Sequence, residues 1–186
     1  MVELTSLVLP ILLSAIVVFV ASSIIHMMLR YHNNDFGKVP DEDGVMAALR
    51  PFALPPGDYM IPRPECHEDM KKAEYIEKAA KGPVALMTVM PSGIQGKGKS
   101  LALWFLYCVI VSLFAAYLTK HAVPAGTSYL TVFRFAGTTA FAGYALALMQ
   151  NSIWYQRKWS STAKSVFDGL IYALLTGGTF GWLWPA

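Results

Sequence analysis

Residues 101–119 read LALWFLYCVIVSLFAAYLT, with Lys99 just before them and Lys120 just after. The run carries no charge, proline or glycine. At about 1.5 Å per residue it makes a helix of about 28 Å, close to the roughly 30 Å of a bilayer's hydrocarbon core. This stretch reads as a transmembrane helix, and the rest of the chain is what lies to either side of it.

Working outward, residues 6–29 (SLVLPILLSAIVVFVASSIIHMML) form a second apolar run. A secretory signal would place positive charge ahead of it. Here the only charge ahead is Glu3, and Arg30 follows, so a retained span is predicted. Residues 129–150 form a third span, interrupted by Arg134 alone, and residues 167–184 a shorter fourth one. The fold class is therefore membrane all-α: four transmembrane helices with a small cytoplasmic α+β insertion between helices 1 and 2. The divisions are 1–29 for the first helix, 30–100 for the insertion and 101–186 for helices 2 to 4.

Composition agrees. Hydrophobic residues make up 55% and charged residues 15% of the 186 positions, against about 25% charged in soluble domains. A net charge of +3 without a basic stripe argues against nucleic acid as a partner. Arg30, Lys38, Lys97, Lys99, Arg157, Lys158 and Lys164 fall on one side of the spans, and only Lys120 on the other. The basic side is cytoplasmic by the positive-inside rule, which places both termini outside.

Within the insertion, Pro40 and Asp41 open a short helix that stops before Pro51, with acids in its first turn to complement the dipole. Residues 57–62 (GDYMIP) and 84–90 (VALMTVM) read as strands of a two-stranded ribbon. Residues 65–81 read as one amphipathic helix, with Met70, Ala73, Ile76 and Ala80 on its apolar stripe.

Several patterns touch on chemistry. Residues 93–100 (GIQGKGKS) match the phosphate-loop spacing GxxxxGK[ST]. The helix that follows is an apolar span, however, and no parallel sheet supports the loop, so Lys97 and Lys99 are assigned to lipid headgroups instead. Cys66 and His67, among Glu65, Glu68 and Asp69, are potential metal ligands; neighbouring helical residues point about 100° apart and need outside help, which His32 or His26 supplies only if the loop folds back. His26 and His121 fall at opposite membrane faces, which disfavours a haem between them. No catalytic, metal or cofactor residue is assigned, and no cofactor is required.

Gly169, Ala173, Gly177 and Gly181 recur every four residues, a face that admits a close neighbour helix. Ala136, Ala140 or Gly143 offers the matching surface in the same chain; another chain is the alternative. Asp168 and Arg134 are intramembrane charges. Lys164, four residues before Asp168, is placed to neutralise it. Arg134 is expected to tie the third helix to the Ala186 carboxylate or to the Trp182 and Trp184 rings, with Glu3 as a further partner.

DFGKVPDEDGV, PPGDYMIP, GPVALMTV and FDGLIYALLTGGTFGWLWP together resemble a widespread family of small, uncharacterised bacterial four-helix integral membrane proteins. The resemblance spans nearly the whole chain. It implies a bacterial inner-membrane location and no chemistry. The expected function is a non-enzymatic accessory or structural subunit of a membrane complex, in contact with lipids and with other membrane subunits or copies of itself. The alternatives are a small-solute or ion transporter working as an oligomer and a membrane enzyme acting on lipid or quinone, with Cys66, His67 or Asp168 as its chemical groups.

Overall fold

A computed structural model describes residues 2–94 and 96–186. The helices are, in order, α1 (Val8–Met27), α2 (Glu42–Leu49), α3 (Ala73–Lys81), α4 (Gly98–Ala122), α5 (Tyr129–Tyr144), α6 (Met149–Tyr155) and α7 (Trp159–Trp182). The strands are β1 (Gly57–Ile61) and β2 (Ala85–Val89). The chain divides into two compact units, Met1–Gly37 with Lys97–Ala186, and Lys38–Gly96. Residues 30–37 fall in the first of these units.

Among the described residues, three helices are long and apolar enough to cross a membrane: Leu4–Met27, Gly98–Ala122 and Tyr129–Tyr155. The first begins with a short 3-10 turn, Leu4–Leu7. α7 is equally long at 24 residues, but serines, threonines, glycines and Asp168 dilute its apolar content.

Side-chain pairs give the direction of packing in this first unit. Ser14 faces Ser112 at 2.9 Å, and Trp104 Nε1 donates to Ser22 Oγ at 2.7 Å, so α1 and α4 run antiparallel. The Tyr107 hydroxyl donates to the Gly143 carbonyl at 2.6 Å between α4 and α5. α5 lies against α7, and α7 returns beside α1. The result is an up-down-up-down four-helix bundle.

Its core falls in two layers. Ala15, Val18, Cys108, Val111, Ala140, Tyr144 and Tyr172 fill one, ringed by Trp104 and Phe141. Leu7, Ile11, Ala115, Ala116, Val132, Ala136 and Phe180 fill the other. Small residues at these contacts let backbones approach closely, which is how helices gain packing energy when lipid is as apolar as leucine.

The third predicted span is bent. α5 ends at Tyr144, a 3-10 turn covers Leu146–Leu148, and α6 follows. Tyr107 takes the Gly143 carbonyl at this bend. A side chain inserted into the helical ladder is a recognised cause of bending.

In the second unit, β1 and β2 pair antiparallel, with Gly57 opposite Val89 and Ile61 opposite Ala85. Thr88 Oγ1 donates to Asp58 Oδ1 across the ribbon at 2.6 Å. Asp41 caps α2 by accepting the Gly44 N–H at 2.9 Å. The single helix expected over 65–81 is split into a 3-10 turn, His67–Lys71, an extended Lys72, and α3. The cause is local: the Asp69 carboxylate accepts the N–H groups of Glu65 and Cys66 at 3.1 Å each and closes a capping turn of its own. Among the described residues of 38–94, none is buried.

Candidate functional site

α1 ends at Met27, Leu29 is extended, and a 3-10 turn, Arg30–His32, follows. This turn puts His32 beside His26, with ring centroids 4.6 Å apart. The start of α7 supplies the rest of the site. Asp168 is only 3% exposed, and its two oxygens have different partners. Oδ1 accepts the Tyr31 hydroxyl. Oδ2 lies 2.8 Å from His32 Nε2 and 3.9 Å from His26 Nε2. The Tyr172 hydroxyl, one turn further along α7, reaches His26 Nε2 at 3.5 Å.

The other ring nitrogen of His32, Nδ1, lies 2.7 Å from Asp35 Oδ2. Asp35 Oδ1 is held by Lys164 Nζ at 2.9 Å. That ammonium also donates to the Tyr31 carbonyl and to Asn34 Oδ1, each at 2.5 Å. Burial alone would raise the Asp35 carboxyl, but the hydrogen bonds and charges of His32 and Lys164 outweigh it and hold the group at about 2. Burial and the bond to Asp168 push the Tyr31 hydroxyl up, so it stays a donor.

His32 therefore sits between two carboxylates, one on each ring nitrogen. A neutral imidazole has a single N–H and cannot donate to both. The arrangement calls for positive charge at this point, either a second proton on the ring or a cation in its place. Among the described residues, His26, His32 and Asp168 are the group whose ligand atoms converge closely enough for a metal ion, all within 4.8 Å of one another.

Of the residues singled out in the sequence, Asp168 belongs to this site. Lys164 does too, but it pairs with Asp35 and not with Asp168. As metal ligands, His26 and His32 were named in the sequence only as possible helpers of Cys66 and His67, a role they do not take, and Tyr31 and Asp35 were not singled out. The signal was the density of His26, His32 and Asp35 around the end of the first span, on the same side as Asp168.

Cys66 and His67 belong to the second unit and are exposed at the start of the 67–71 turn. Asp69 beside them is committed to the backbone there and to Lys72 at 2.5 Å. The phosphate-loop match runs into α4, whose first residues are Gly98, Lys99 and Ser100. Gln95 of that motif lies outside the described residues. The sheet that precedes it in sequence is a two-stranded antiparallel ribbon, and Lys97 and Lys99 are exposed.

The glycine face is turned inward onto α5. A Cβ on Gly177 would lie 2.8 Å from the Phe133 carbonyl, one on Gly169 2.8 Å from Ala145 Cβ, and one on Gly181 2.7 Å from the Tyr129 ring. Ala173 is buried on the same face, and its carbonyl lies against Gly137. The α5 partners are thus Tyr129, Phe133 and Gly137, with Ala145 just past its end, while Gly143 faces Val111 of α4.

Arg134 is exposed on α5, on the rim of an open groove of about 270 Å³ with Phe133, Gly137, Phe141, Leu170 and Leu174. Among the described residues no ion pair includes it. The expected tie to the C-terminus is not formed, because the tail docks elsewhere. Gly126, at φ +71°, donates its N–H to the Pro185 carbonyl at 2.9 Å, and Trp184 Nε1 donates to the Pro124 carbonyl at 3.0 Å.

Against known proteins, no family model, curated protein or solved structure matches the chain.

Proposed function

We propose that the protein is a four-span subunit of the bacterial inner membrane that serves a larger membrane assembly in a non-enzymatic, accessory role. α1, α4, α5 with α6, and α7 are the spans in this reading. Their alternating direction carries both termini to one side, and the basic residues at the opposite side make residues 38–96 cytoplasmic.

The observation that carries the reading is the state of that second unit. Its described residues include none that is buried, yet Phe52, Met60, Ile76, Leu86 and Met90 are all exposed. A two-stranded ribbon with two short helices is marginal alone, and exposed apolar side chains in such number point to an interaction site. Another subunit would complete its core. The unpaired Arg134 beside an apolar groove adds a second point, since a guanidinium within a span favours an acidic partner.

The test is purification in mild detergent through a tag at the C-terminus. The expected result is a stoichiometric second chain that is lost when Ile76 and Leu86 are both changed to Asp. A chain that elutes alone, or only with copies of itself, overturns the reading. One observation favours a second reading, a membrane enzyme acting on lipid or quinone: the convergence of His26, His32 and Asp168. That reading gains if the chain is isolated with a lipid-like ligand at these residues.

A further inference from the structure

We propose that His26, His32 and Asp168 bind one divalent first-row transition-metal ion, through both Nε2 atoms and Oδ2. The three atoms face one another from three separate pieces of chain: the end of α1, the turn after it and the start of α7. With metal–ligand bonds of about 2.1 Å, ligand atoms stand about 3.0–3.4 Å apart. The two histidine-to-Asp168 separations, 2.8 and 3.9 Å, bracket that spacing. All three ligand atoms lie within 4.8 Å of one another.

The outer partners fit this role. Metal-bound histidines usually donate their second N–H to a carboxylate, which fixes the tautomer and leaves the ligating nitrogen bare. Asp35 does this for His32 Nδ1, and Lys164 in turn holds Asp35. Tyr31 occupies Asp168 Oδ1 and leaves Oδ2 to ligate. Charge points the same way. Asp35 and Asp168 bring two negative charges, and Lys164 supplies one positive. A cation between the Nε2 atoms and Oδ2 would compensate the remainder.

Two imidazoles and one carboxylate suit zinc, iron, cobalt or manganese, whereas calcium and magnesium favour all-oxygen shells. Three protein ligands leave at least one position open. It would face the side where His26 is half exposed, at 50% of its side chain. This inference does not depend on the accessory-subunit reading, since either can hold without the other.

The test uses the full chain in detergent, purified through a tag without histidines and stripped with a chelator. Cobalt(II) and zinc(II) are the probes, with magnesium as the contrasting ion. The expected result is one equivalent of cobalt retained after gel filtration, with visible absorption bands of a low-coordinate site. Zinc should raise the thermal midpoint and magnesium should not. His26→Gln, at a half-exposed position, should fold and lose the cobalt bands. Asp35→Asn should weaken zinc binding by about 10–100-fold without abolishing it. Absence of stoichiometric cobalt or zinc in the folded wild type overturns the proposal, as does binding that His26→Gln and His32→Gln leave unchanged.

Discussion

Lys164 bonds to Asp35 at 2.9 Å and passes by Asp168, the acid one turn along its own helix. The second turn of α7 is thereby fastened to the segment that follows α1, two elements more than a hundred residues apart in sequence. Asp168 is left to Tyr31 and the histidines. A lysine spent in this way organises a site without touching its centre.

The fastening should be measurable as coupling. Lys164→Met and Asp35→Asn, singly and together, should show non-additive losses of thermal stability in detergent, with an interaction of at least about 0.5 kcal/mol. The pH dependence has a definite sign. The Asp35 carboxyl is held at about 2, below the usual value of about 3.9, so its contribution is present above about pH 4 and is lost as the pH falls toward 2. Asp35→Asn should flatten the stability profile in that window. Strictly additive losses would show that the contact contributes nothing.

The inward glycine face predicts two opposite outcomes for adjacent positions. Gly177→Ala would place a methyl group 2.8 Å from the Phe133 carbonyl, a backbone atom that cannot rotate away. A loss of about 1–3 kcal/mol is expected from such overpacking. Gly178→Ala would meet only the Tyr129 hydroxyl at an ordinary 3.5 Å. It should be neutral, or stabilising by up to about 1 kcal/mol through helix propensity. Thermal midpoints of the two variants decide the matter, and equal effects would mean that α5 and α7 are not in close contact here.

The difference between what was readable and what was not follows the range of the interactions. Apolar runs and four-residue glycine spacing are local, so the long helices, the ribbon and the small-residue face on α7 are plain in the sequence. The composition of α7 is not so plain: Asp168 and the hydroxyl residues belong to a face that packs inside the bundle, which lowers its apolar content relative to α1 and α4. The site was hidden for a different reason. His32 and Asp35 count only because the chain turns back after Met27, and Asp168 joins them from 136 residues beyond His32. The bend at Ala145 is equally non-local, since it depends on Tyr107 from α4 taking the Gly143 carbonyl.

Native cysteines report the orientation proposed from loop charge. Cys66 is exposed in the insertion and Cys108 is buried in the bundle. A membrane-impermeant maleimide should leave the wild type unlabelled in intact cells and label it in inverted vesicles. In a Cys66→Ser background, Ala125→Cys should be labelled in intact cells. Labelling of Cys66 from outside would reverse the orientation.

Arg134 separates the stability of this chain from its assembly. It has no ion-pair partner among the described residues and is exposed beside an apolar groove. Its depth is roughly 7 Å below the start of α5, five positions at about 1.5 Å each, within reach of the interface for a long side chain. Removing the charge should therefore cost the isolated chain little: Arg134→Gln should shift its thermal midpoint by no more than an ordinary surface change, within about 0.5 kcal/mol. Extending the tail past Ala186 should disturb the contacts of Pro185 and Trp184 with residues 124–126, and should do so equally in the wild type and in Arg134→Gln. The complex should respond differently. If an acidic residue of a partner span pairs with this guanidinium, Arg134→Gln should lower the yield of the co-purified partner by at least about tenfold, the equivalent of roughly 1.4 kcal/mol, and Arg134→Lys should restore part of it. A marked fall in the stability of the isolated Arg134→Gln chain would place the partner of Arg134 within this chain, and the groove would lose its role in assembly.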